Sequence, residues 1–471
     1  MKIQSKLIYI VLQIMLIAFS TSSNEIQLIS KNISGSAAGS SSLGGMSADG
    51  EIILFNSLSS EIVPDDNNTL EIGYRLYIGW DAFTFDSTSK EITRISLNSQ
   101  GGELKESESG GSSISPDGRY VAFTSSAFDV VSGVTTYPGI GLAYYHGTNV
   151  FLLDQASNQL DWISKSPDNY ESTNSGSGHV TSNGDVFFHS TANNLLVTNL
   201  PGFIENTGKL YKWNHDSNLM ELVSVDSNDN PIKLTEQFPG FRFDVNADAN
   251  YIVFCSEDEQ FSPDGIIQVV LKNLETNELR VVSRSSSGNL ANRDCELPQI
   301  SGNGRYIVFT SKATNLTDQD PHPFVHINDQ VTYGSDVFIY DRLNDSLRII
   351  PIPVGSDISI QTNVSFAGIN YTGNLVAFLG NDSDTGRFVD LFLYNQESST
   401  NESLHSTQTL LSPVAGTVGI EGIPILSEIG TKILFQTNED LIVPEDTNSS
   451  HDIYMITLDK QSSVTGWELN E

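Results

Sequence analysis

Basic residues are scarce. The chain has 24 Lys plus Arg among 471 residues against 58 Asp plus Glu, a formal net charge of −34. Binding a phosphate backbone requires a basic face, so this balance excludes a nucleic-acid surface. The same charge opposes docking on anionic lipid. Cysteine is nearly absent too, with only Cys255 and Cys295, so no disulfide framework or CxxC metal site can be built. There is no HExxH motif, no G-x-S-x-G nucleophile elbow and no EF-hand spacing. Helical periodicity is missing between the apolar runs, and after residue 20 no run approaches the length of a membrane span. Hydrophobic residues nevertheless reach 38%, which is enough for a packed core and excludes disorder along the whole chain.

The first twenty residues read as a secretory signal. Lys2 and Lys6 precede an apolar run from Leu7 to Phe19 broken only by Gln13, and Ala18-Phe19-Ser20 places small residues for cleavage after Ser20. The expected product is secreted or periplasmic, without membrane insertion after cleavage. Nine Asn-x-Ser/Thr sequons, Asn32 to Asn448, would be glycosylation sites in a eukaryote and compositional accidents in a bacterium.

What is present is a sevenfold repeat: a small or polar residue, a turn pair, then an apolar run closed by Phe. The copies are SADGEIILF, SPDGRYVAF, TSNGDVFF, NADANYIVF, SGNGRYIVF, NYTGNLVAF and SEIGTKILF, ending at Phe55, Phe123, Phe188, Phe254, Phe309, Phe378 and Phe435. Asp-Gly and Asn-Gly pairs predict tight hairpins with positive φ at both central residues. The fourth copy, Asp248-Ala249-Asn250, has no Gly, so either Asn250 shifts the register or Ala249 carries strain. The runs after the turns are continuously apolar, the pattern of strands covered on both faces. Third strands follow at LYIGWDAFTF, NVFLLD, KLYKWN, IIQVVL, DVFIYDR, LFLYN and DIYMITLD. Fourth strands follow at EITRISL, LDWIS, MELVSV, ELRVVS, SLRIIP and a polar stretch at 404–411. Four antiparallel strands per unit stacked around an axis make a propeller blade.

The seventh unit has no fourth strand of its own. Glu25-Ile26-Gln27-Leu28-Ile29-Ser30 resembles EITRIS and ELRVVS and supplies it. The expected fold is all-β: a seven-bladed β-propeller of four-stranded antiparallel blades over residues 24–459, closed by the N-terminal strand, with a tail at 460–471. Strand direction puts the Asp-Gly turns on one rim and the long second-to-third strand loops on the other, including 125–148, 191–208 and 311–335. Long loops on one rim mark it as the binding face. Cys255 and Cys295 map to that rim on adjacent blades. A disulfide is expected there, with two separate buried thiols as the alternative.

The segments SPDGRYVAFTSSA, SGNGRYIVFTSKATNL with DVFIYDR, and TNEDLIVPEDTNSSHDIYMITLD resemble TolB-like (WD-like) β-propeller repeats. The resemblance covers nearly all of the mature chain. It implies the fold and an exported protein, but no βαβ pattern precedes the repeats as it does in TolB itself.

Ligand-face candidates are Tyr144, Tyr145, His322, His326 and Tyr333 on the long-loop rim, where aromatics either stack on sugars and anchor proteins or fold back to cover their own loops. His322 and His326 stand among Asp318, Asp320 and Asp329, a set that suits either a transition metal or, as the commoner case, a solvated surface loop. Asp66, Asp320 and Asp446 lie in oxygen-rich loops that suit Ca²⁺ or, alternatively, make local side-chain turns. No cofactor is required by any motif, and no catalytic residue is assigned. The leading expectation is an exported, non-enzymatic, monomeric propeller binding a protein or carbohydrate through the long-loop rim. Its rivals are a glycan-active hydrolase or lyase and a structural envelope or surface component. Carboxylates of raised pKa around one pocket would mark the enzyme.

Overall fold

Each blade is built by the repeat that marks it in the sequence. In a computed structural model, blade 1 comprises Ser41–Met46, Ile52–Ser57, Asp81–Asp86 and Ile92–Arg94, hydrogen-bonded in that order. The structure describes residues 25–458 apart from 65, 67–68, 73–74, 105–108, 128, 133–147, 168–174, 193, 197–206, 236–242, 319–324, 328–329, 333, 352–363, 382–387, 398–399, 407–419 and 439–441. Among the described residues seven four-stranded antiparallel sheets repeat this order, with two short hairpins inserted in loops. The signal segment and the tail at 460–471 lie outside the described residues, and among those described no helix is long and apolar enough to cross a membrane.

The repeated Phe has a definite task. It faces an aromatic residue on the third strand of its own blade, as in Phe55–Phe83, Phe123–Phe151, Phe188–Tyr211, Phe309–Phe338, Phe378–Phe392 and Phe435–Tyr454, with ring centroids 5.5–5.7 Å apart. In blade 4 the partner of Phe254 is Val270. Burial follows the same plan. Among the described residues seven apolar clusters each join two adjacent blades, and the continuous apolar runs are needed because a blade is covered on both faces.

Blade 7 consists of Ile420–Leu426, Lys432–Thr437 and Asp452–Thr457, and Glu25–Leu28 completes it, pairing antiparallel with Asp452–Thr457. The likeness of EIQLIS to EITRIS and ELRVVS extends to single atoms. Ser96 bonds Asp81 at the head of the third strand and receives the Ala82 N–H, and Ser283 does the same with Gln268 and Val269. Ser30 donates to Asp452 Oδ1 at 2.6 Å and receives the Ile453 N–H at 3.0 Å. Leu28 and Ile29 are fully buried in different clusters, one between blades 6 and 7 and one between blades 7 and 1.

Several local expectations change. The hairpin turns are not two-residue turns with both central residues at positive φ. In blade 1 the Gly50 N–H bonds the Ser47 carbonyl, Ser47 Oγ receives the Ile52 N–H, and the glycine alone, at φ +70°, enters the left-handed region. The longer loop arises because Ser47 and Asp49 cap the turn with side chains (Ser47 Oγ to Asp49 Oδ1, 2.6 Å). In blade 4 Ala249 occupies the glycine position at φ +52°, so the strain falls on alanine and not on Asn250. The third strand of blade 1 begins at Asp81, since Arg75–Ile78 belongs to an inserted hairpin with Thr69–Ile72. The fourth strand of blade 6 is Thr400–Ser406, earlier than 404–411.

Cys255 and Cys295 are free thiols, so the expected disulfide is not formed. Both are buried in the cluster between blades 4 and 5. Cys255 Sγ lies 3.5 Å from the Cys295 carbonyl, while Cys295 Sγ turns toward Ser311 Oγ at 3.3 Å. Burial pushes the Cys295 thiol up to about 12, far from its reactive form.

Candidate active site

The first strand of every blade lies innermost, and together these strands wall an axial channel of about 900 Å³. They are short and rich in small residues, as in SSLGGM, SGGSSI and SGSGHV, which keeps the axis open. A β-bulge interrupts the pairing of first and second strands in six blades and turns extra residues toward the axis.

One ring of equivalent positions results. Gly45, Ser113, His179, Asp244, Gln299, Gly368 and Ile425 each oppose the residue immediately before the repeated Phe of their blade. Blades 3, 4 and 5 therefore place His179, Asp244 and Gln299 side by side, one residue from the turn-side end of their strands. Glycine at 368 reflects close approach, since a Cβ there would stand 2.0 Å from the Pro424 carbonyl oxygen of blade 7.

Asp244 is held on both oxygens. Oδ1 accepts the Val245 N–H and Oδ2 accepts the Ile300 N–H of the next blade, each at 2.9 Å. His179 Nδ1 stands 3.5 Å from Asp244 Oδ1, and the two side chains keep 29% and 16% of their surface open to the channel. A ligand atom can therefore reach them, while the surrounding protein removes most of the bulk-water shell. That desolvation pushes Asp244 up to about 7, against the pull of the two amides, and pushes His179 down to about 4. Near neutrality the imidazole is thus neutral and the proton that titrates sits on Asp244. His189, further along the blade 3 wall beside Gly176, is likewise pushed down to about 4 by burial. Among the described lining residues Asp244 is the sole carboxylate, and no Lys or Arg is present.

The residues singled out on the rim do not assemble here. Tyr144, Tyr145, His322, Tyr333 and Asp320 lie outside the described residues. His326 falls in the strand Val325–Ile327 of a rim hairpin, opposite Val331. Asp66 is buried 3.4 Å from Arg94 Nη1, so a side-chain cation already stands beside it. Asp446 accepts hydrogen bonds from the Tyr454 hydroxyl and the Asn448 amide, which makes it a turn-forming residue. Among the described residues no three His, Cys, Asp or Glu side chains gather closely enough to hold a metal ion.

Sequence reasoning missed Asp244 altogether and treated His179 as one histidine among eight. The signal was present: both lie two residues before the Ser, Thr or Asn that opens the blade turn. The channel-facing strands went unread because they lack the apolar run that marks the others.

No family model matches this sequence, and no curated protein matches it. Solved structures do match. An oligogalacturonate lyase in complex with manganese superposes with a TM-score of 0.51 at 14% identity, covering 93% of this chain and 97% of that one. The oligogalacturonate lyase of Vibrio parahaemolyticus gives 0.49 at 11% identity, covering 93% and 98%, and TolB of Acinetobacter baumannii gives 0.39 at 10%, covering 80% and 77%. The TolB-like resemblance holds at the level of the propeller ring. The expectation of a non-enzymatic ring binding through its long-loop rim is corrected: the first of these matches spans the chain and is an enzyme, and the perturbed acid–base pair lies in the axial channel.

Proposed function

We propose that the protein is a glycan-active lyase whose axial channel is its active site, with Asp244 as the proton-transferring group and His179 as its neighbour. The observation that carries this reading is a channel carboxylate with its pKa near 7, next to a neutral imidazole and open to a ligand. Hydrolysis of a glycosidic bond ordinarily uses two carboxylates about 5–10 Å apart. Elimination needs only one acid–base group. Asp244 as carboxylate takes the proton from the carbon next to a uronate carboxyl, the C–H electrons form the double bond, the C–O bond to the neighbouring sugar breaks, and the leaving oxygen takes the proton back. The solved enzyme of similar fold is an oligogalacturonate lyase, which supports an acidic sugar as the substrate class.

Charge limits that substrate further. A protein of net charge −34, with no Lys or Arg among the described channel residues, repels long polyanions. Short uronate oligosaccharides are the favoured substrates. Export belongs to the same reading, supported by Lys2, Lys6 and the apolar run to Phe19. Protein recovered outside the cytoplasm should begin at Thr21, and retention of the whole product in the cytoplasm with Met1 intact would refute export.

The test is incubation with uronate and neutral oligosaccharides, scored for both unsaturated products and reducing ends. Unsaturated ends should appear, and Asp244→Asn should slow turnover by about 10²–10⁴-fold. The kcat/KM profile should rise with pH through about 7, because the base form of Asp244 is needed. Reducing ends without unsaturation would establish hydrolysis. Full activity in Asp244→Asn would remove the site.

A further inference from the structure

A second cavity, of about 500 Å³, opens between blades 2 and 3 on the turn side of the ring. This volume lies within the ~300–1,000 Å³ range of small-molecule sites. A related cavity of about 400 Å³ lies between blades 5 and 6, so the repeat itself provides an internal comparison.

Both share one staple. Arg119 forks onto Asp154 at 3.0 and 2.8 Å with its guanidinium 4.7 Å from the Tyr120 ring centroid. Arg305 forks onto Asp341 at 3.1 and 2.7 Å over Tyr306 at the same 4.7 Å. The staple therefore belongs to the fold and by itself signals no ligand. The remaining walls differ. Between blades 5 and 6, Arg348 is spent on the Tyr394 hydroxyl at 2.6 Å and on Gln396, and the described lining residues include no Trp or His. Between blades 2 and 3, Trp213 and His215 form an aromatic wall, with His215 edge-on to both Tyr120 (5.3 Å) and Trp213 (5.7 Å), while Trp162 turns its ring into the core between blades 1 and 2. Lys165 and Asp161 supply charge outside the staple, and Gln159 Nε2 donates to Asp161 Oδ2 at 2.9 Å.

Among its described lining residues the cleft is electroneutral. Arg119 and Lys165 balance Asp154 and Asp161, in a protein where acids outnumber bases 58 to 24. A neutral cleft in so negative a molecule suits neither a free cation nor a free anion. An aromatic wall beside paired amide, carboxylate and ammonium groups matches an uncharged ring that presents hydroxyls on its edge and C–H groups on its faces. We propose that the cleft between blades 2 and 3 is a binding site for an uncharged saccharide unit, recognised by Lys165, Asp161 and Gln159 at its hydroxyls and by the Trp213–His215 wall. The site is separate from the axial channel and requires no chemistry there.

The test uses the full chain with cellotetraose, maltotetraose, mannotetraose and tetragalacturonate, followed by tryptophan fluorescence and calorimetry. At least one neutral tetrasaccharide should bind with a change in tryptophan emission. Lys165→Ala and Asp161→Ala, both outside the staple, should weaken it tenfold or more while leaving the melting temperature in place. Glu397→Ala in the blade 5–6 cavity, and Asp244→Asn in the channel, should bind as wild type does. The proposal is overturned if no neutral tetrasaccharide binds at millimolar concentration, if both cleft variants bind it normally, if the cleft variants weaken tetragalacturonate but not the neutral tetrasaccharide, or if Asp244→Asn alone abolishes neutral binding. Because binding is read without turnover, an inactive channel and an empty cleft give different results.

Discussion

Leu28→Ala and Ile29→Ala test ring closure at its weakest covalent point, a strand more than 420 residues away in sequence from its partner. Both side chains are fully buried, Leu28 against Leu375, Leu391 and Tyr454, and Ile29 against Ile53, Phe55 and Leu434. Removing such a side chain to Ala leaves a cavity and costs about 2–5 kcal/mol. Because the two point into different inter-blade clusters, the double variant loses packing on both faces of blade 7 at once. That is a large share of the ~5–15 kcal/mol that holds an ordinary domain folded. Ile163→Ala is the matched control, since Ile163-Ser164 directly follows the fourth strand of blade 2, Gln159–Trp162, as Ile29-Ser30 follows Glu25–Leu28. Urea denaturation followed by circular dichroism and tryptophan fluorescence should lower the midpoint comparably for Ile29→Ala and Ile163→Ala, and more for the double variant. A double variant with the wild-type midpoint, alongside a destabilised Ile163→Ala, would show that the N-terminal strand does not close the ring.

Ala249→Gly should stabilise the protein by roughly 0.5–1 kcal/mol, because alanine at φ +52° carries a left-handed penalty that outweighs glycine's extra chain entropy. A lower urea midpoint would contradict this. On the acid side, Glu51 of blade 1 is held down to about 2, from 4.5, chiefly by Lys432 of blade 7 at 2.7 Å and then by Ser87. Its folded pKa is depressed, so its contribution is complete above about 4.5 and is lost as pH falls toward 2. Glu51 is partly exposed, which limits the contribution to about 1 kcal/mol. Glu51→Gln should flatten the acid limb of stability against pH, and an unchanged limb would refute the assignment.

The architecture was legible because it is repetitive and its signals are local. Glycine turns, continuous apolar runs and the seven Phe positions each report a strand in its own blade, and the Ser of EIQLIS matched those of EITRIS and ELRVVS before any sheet was assembled. The disulfide was misjudged because adjacency on one rim fixes neither thiol's direction, and Cys295 turns to Ser311. The channel pair was out of reach for a related reason. His179 and Asp244 stand 65 residues apart in sequence, in strands with no apolar signature, and meet only because successive blades superpose the same strand position around an axis. Their unusual proton affinities come from desolvation inside the assembled channel. Local residue order determined which strands form and in what sequence; closure of the ring decided which side chains lose their water, because desolvation depends on the packing of all seven blades and not on any one of them.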